Sequence, residues 1–179
     1  MAIDLIEEVR NQLGYKPLPK INPNTQEPVS NQIPDIGSAA VPAVLAGFYK
    51  RTRSVEAAEK LVNTPGDNML DELFCEHKND VIQSVAGYSH VPPDAAHEEM
   101  RKVADAVHNV LGQHLKDETG SNVMTFFTTQ RSNILKHLPV ELHMGELIND
   151  PAMDDRTNKM EGPMSGFMHT IEQIFSSSK

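Results

Sequence analysis

The chain has 179 residues, a length at which one hydrophobic core suffices. With 39% hydrophobic and 23% charged residues, its balance is that of a folded protein and excludes wholesale disorder. Lys and Arg total 16 against 25 Asp and Glu, and the resulting formal charge of -9 repels phosphate backbones and argues against a nucleic-acid partner.

The first segment, Ile3 to Leu13, places Ile3, Ile6, Val9, Arg10 and Leu13 on a helical repeat that stops at Gly14. Asp4, Glu7 and Glu8 stand where a secretory leader would carry basic residues, so the segment does not read as a signal peptide. Residues 1–14 are therefore expected to be a short amphipathic helix. From 15 to 37 the composition changes: Pro17, Pro19, Pro23, Pro28 and Pro34 alternate with Asn, Gln and Ser, which reads as an extended linker or ordered arm. A helix on such a tether can dock on its own body or be exchanged with a second copy, which would give a homo-oligomer through the arm.

Residues 38–179 read as a helical domain. SAAVPAVLAGFYKRT, with Ser38 as cap and Pro42 near the first turn, is apolar enough for a central buried helix. Its uninterrupted apolar stretch, around Ala39 to Ala46, is far short of the about 20 residues a membrane span needs, and no membrane partner is expected. Lys50, Arg51 and Arg53 read as cations complementing the carboxyl end of that helix dipole. Ser54 then precedes VEAAEKLVN, with Val55, Ala58, Leu61 and Val62 on one side. After the turn TPGD, Asp67 opens NMLDELFCEH, and NDVIQSVAGYS follows with an end expected at Gly87.

Within this stretch lies the single cysteine, Cys75. One thiol allows no intrachain disulfide, which points to a reducing compartment, the cytoplasm. Its place beside Phe74 in an apolar-patterned turn predicts a buried structural thiol, and Glu76 and His77 diverge from it too much to activate it as a nucleophile.

Pro92, Pro93 and Asp94 start a long helix running to about Lys116, with Met100, Val103, Ala104, Val107, Val110 and Leu111 in a stripe. His97 and His114 are expected at the border of that stripe. Gly120 and Ser121 mark the next start, and Val123, Phe127, Ile134 and Leu138 share a face. Pro139 begins a shorter helix to about Ile148, the polar loop NDPAMDDRTNKMEGP follows, and Pro163 initiates a last helix aligning Met164, Phe167, Met168, Ile171, Ile174 and Phe175. No strand-period alternation and no fixed-period repeat appears, so the expected fold is all-α, a globular array of about eight short helices.

The segments IPDIGSAAVPAVLAGFYK, DELF, VAGYS and VADAVHNVLGQHL, between Ile33 and Leu115, resemble the YidB-type bacterial helical domains of unknown function. The resemblance implies short helices joined at small residues and names no chemistry. This chain has charged or polar residues where that family is rich in glycine, and the resemblance does not extend beyond Gly120.

Two chemical readings remain. G-x-S-x-G, P-loop, G-x-G-x-x-G and H-E-x-x-H patterns are all absent, which favours a non-catalytic protein that associates with another protein or with itself through the terminal helices or the arm. The alternative is a metal-dependent enzyme or metal-binding protein. His143, Glu146 and Asp150 would align an imidazole and two carboxylates if one helix ran unbroken through them, with Asp154 and Asp155 close behind. His169 and Glu172 repeat the His-x-x-acid spacing, in the reverse order to that of di-iron carboxylate bundles; the metal would be iron, manganese or zinc. The late methionines Met144, Met153, Met160, Met164 and Met168 suit core packing or an adaptable binding groove.

Overall fold

A helix made almost wholly of small and apolar residues has no face to give to water, so other helices must surround it. In the computed structural model, which describes residues 3–17, 35–64, 68–115, 118–150 and 153, that helix is α2, Gly37–Arg51. Gly37 and every residue from Ala39 to Phe48 is buried. Around it pack α1 (Leu5–Gln12), α4 (Met69–Phe74), α5 (Lys78–Ser89), α6 (Pro93–His114) and α7 (Gly120–His137). The smaller α3 (Val55–Val62) lies mainly on α7, and α8 (Met144–Leu147) on α5. Among the described residues there is no strand, and the all-α expectation holds.

Ala39, Ala40, Ala43 and Ala46 are fully buried on α2, and short side chains let neighbouring axes come close. The closest approach is at Gly47, where an added Cβ would lie 2.8 Å from the Phe74 ring of α4. The next residue, Phe48, stacks on Phe127 of α7, with centroids 5.8 Å apart and planes 3° from parallel. Gly120 makes the equivalent close contact between α7 and α3, since a Cβ there would sit 2.4 Å from the Val55 carbonyl oxygen.

The start of α2 differs from expectation. Ser38 is inside the helix, and Asp35 does the capping: its Oδ1 accepts from the Ser38 amide and from Ser38 Oγ, both at 2.8 Å. The Gly87 end of α5 is also displaced. Gly87 stays helical, and His90 takes the left-handed conformation (φ 54) while the Val91 amide closes onto the Ala86 carbonyl at 3.1 Å. The segment expected as one helix from Pro139 to Ile148 is divided into a 3-10 turn, Val140–Leu142, and α8, because His143 between them is left-handed (φ 48).

The N-terminal helix is docked on its own chain. Eight residues are too few to hold a helix in water unaided, so α1 depends on its packing. Leu5, Ile6 and Val9 are buried in the same core as α2, α6 and α7, each contributing about 1.5–3 kcal/mol of apolar burial. Its amino end is gripped by two amides of α7. Gln130 accepts from the Leu5 amide at 3.2 Å and donates to the Ile3 carbonyl at 2.8 Å, while Asn133 donates to Asp4 Oδ1 at 2.8 Å. Asp4 Oδ1 also caps the helix, accepting from the Glu7 amide at 3.1 Å.

At the other end, Arg10 is only 2% exposed although it carries a full charge. Its guanidinium donates to the Lys16 carbonyl, pairs with Asp35 at 3.4 Å and lies over the Tyr15 ring at 5.3 Å. Burial lowers the Arg10 pKa and Asp35 opposes the shift. Residues 16 and 35 therefore meet at one side chain. Asp35 serves both helices, capping α2 with one oxygen and pairing with Arg10 of α1 through the other.

Two outcomes follow. Replacing Gln130 with Ala strands a buried donor and acceptor at the start of α1. This should lower unfolding free energy by about 1–3 kcal/mol in urea titration, with the α1 amides losing most hydrogen-exchange protection. The glycines should split by environment: Gly112, inside α6 with no atom within 4 Å of a built Cβ, should gain about 0.5–1 kcal/mol when changed to Ala. Gly47→Ala, driven against Phe74, should lose stability despite the same helix-propensity gain, and paired thermal melts would read the opposite signs.

Candidate functional site

The greatest concentration of polar chemistry among the described residues lies where α2 ends. Basic residues in the last turn of a helix favour its negative end, and Lys50 and Arg51 occupy that turn, with Arg53 just after it. Each also reaches another segment. Lys50 Nζ donates to the Ile148 carbonyl just after α8. Arg51 Nε donates to the Leu73 carbonyl in the last turn of α4 at 3.2 Å, and its Nη2 to Cys75 Sγ. Arg53 Nη2 meets Asp150 Oδ2 at 2.6 Å, with its guanidinium 4.8 Å over the Tyr49 ring. Cations expected to serve one dipole thus hold two other segments, 73–75 and 148–150, to the same corner, satisfying carbonyls that helix ends leave open.

Along the segment that meets the corner, Leu142, Met144, Ile148 and Met153 are buried. Met144 and Met153 follow the core-packing reading; Met160, Met164 and Met168 lie outside the described residues. Asp150, 6% exposed, has its negative charge balanced by Arg53. One wall is the 3-10 turn Cys75–His77, where Asn149 Nδ2 donates to His77 Nε2 at 3.2 Å and Glu76 comes within 3.5 Å of the same nitrogen. Asn149 is left-handed, at φ 53.

This geometry does not join the three candidate metal ligands. The helix expected to align them lasts four residues: His143 precedes it in a left-handed conformation, exposed, and Glu146 is exposed on α8. Asp150 follows the left-handed Asn149 and turns inward to Arg53. The break before α8 and the turn after it remove the common face on which the spacing argument stood. Among the described residues, no group of three or more His, Cys, Asp or Glu is placed to hold a metal ion. Asp154, Asp155, His169 and Glu172 lie outside the described residues.

One further expectation is corrected. Cys75 is exposed, because α4 ends immediately before it and the backbone turns at φ 49, ψ -125, a region that side chains with a Cβ rarely adopt. The thiol is thereby carried out of the stripe formed by Met69, Leu70, Leu73 and Phe74. His97 and His114, expected beside the α6 stripe, are exposed. The residue that sequence reading passed over is Gln130, 8% exposed. Its signal was present: Val123, Phe127, Gln130 and Ile134 follow a helical repeat, so an amide occupied a position the pattern reserves for the core.

In comparisons with known proteins, no family model, no curated protein and no solved structure matches the chain.

The corner makes two measurable demands. Arg53→Ala leaves the Asp150 carboxylate buried without its cation. With Arg53 itself 43% exposed, the loss should fall between that of a surface pair and a buried one, about 1–2 kcal/mol by urea titration, with a non-zero coupling in a cycle with Asp150→Asn. Cys75→Gly relieves the positive-φ conformation and should raise Tm by about 2–4 °C, whereas Cys75→Ala should not.

Proposed function

We propose that this chain is a non-catalytic binding protein of a reducing compartment such as the cytoplasm, which associates with another protein or with a second copy of itself. The observation that carries the reading is the contrast between the described residues, which keep their large apolar groups inside, and an amphipathic pattern later in the sequence. Val140 is the one large hydrophobic residue exposed among the described residues, so the body offers little apolar surface to a partner. From 163 to 175, by contrast, Met164, Phe167, Met168, Ile171, Ile174 and Phe175 follow the spacing of a helix with one apolar face, the pattern that recognition helices use to enter grooves.

The state of the charged groups supports the same reading. The α2 cations that a phosphate-bearing ligand would need are engaged with Ile148, Leu73, Cys75 and Asp150. The formal charge of -9 disfavours a polyanionic partner at long range. No helix among the described residues is long and apolar enough to cross a membrane. A free, exposed Cys75 is what a reducing environment tolerates.

A photo-activatable residue placed at Phe167 of the full chain tests the proposal, with the same residue at exposed Glu56 of α3 as reference. Irradiation in cells, followed by mass spectrometry, should yield adducts between chains from position 167 and none from position 56. Adducts confined to the same chain, or none at all from 167, would overturn it.

A further inference from the structure

We draw no further inference here: the strongest candidate, the exposed Cys75 thiol beside Arg51 at the strained junction between α4 and α5, is a lone cysteine whose contacts all lie within its own cluster, and nothing in the structure identifies a ligand or reactant for it.

Discussion

The fold depends on the burial of α2 from Ala39 to Phe48. A stretch of helix with no polar face can be stable in water only if its neighbours cover it, and α1, α4, α5, α6 and α7 do so here. Because these helices share one inner partner, their mutual positions are fixed by how closely each can approach it. Alanine and glycine set that distance: Gly47 admits the Phe74 ring, and the run from Ala39 to Ala46 includes four alanines. Large side chains fill other contacts, as in the stacking of Phe48 on Phe127. The polar residues of the body then arrange themselves around helix ends, where open amides and carbonyls need partners.

One rule governs both ends of the molecule. At α1 the open amino end meets Gln130 and Asp4, and at α2 it meets Asp35. The carbonyls near the ends of α4 and α8 meet Arg51 and Lys50. Several of these donors and acceptors come from a different helix, so capping and tertiary packing are the same interaction. The N-terminal helix is the clearest case: its apolar side chains would accept many hydrophobic grooves, but Gln130 and Arg10 register it in this one. The arm's two ends converge on Arg10, so cis docking requires no long reach of the linker.

The helices were legible in the sequence because their apolar spacing is strong. The stripes of α6 and α7 and the near-total burial of α2 follow directly from it. Boundaries were less legible where a non-glycine residue turns the chain. His90, His143, Asn149 and Cys75 all adopt positive φ, which composition does not announce. Those turns explain the misplaced end of α5, the division at His143 and the exposure of Cys75. The proposed metal triplet failed to assemble for the same reason, since its spacing was meaningful only on a continuous helix. Asp150 illustrates a second limit, because pairing with a residue 97 positions away depends on tertiary geometry that local spacing does not contain.

The functional reading follows from what the body has already used. A guanidinium that holds a carboxylate or a carbonyl of its own chain must give up that bond before it can hold a ligand, and Arg51 and Arg53 are both engaged in this way. The same holds for apolar surface, which the packing around α2 consumes until Val140 alone stands out among the large exposed side chains described. A surface with its large hydrophobics inside resists nonspecific association. On the proposed reading, that closed body is a carrier. Recognition then falls to the amphipathic pattern of residues 163–175, and on that reading changes to its apolar positions alter association.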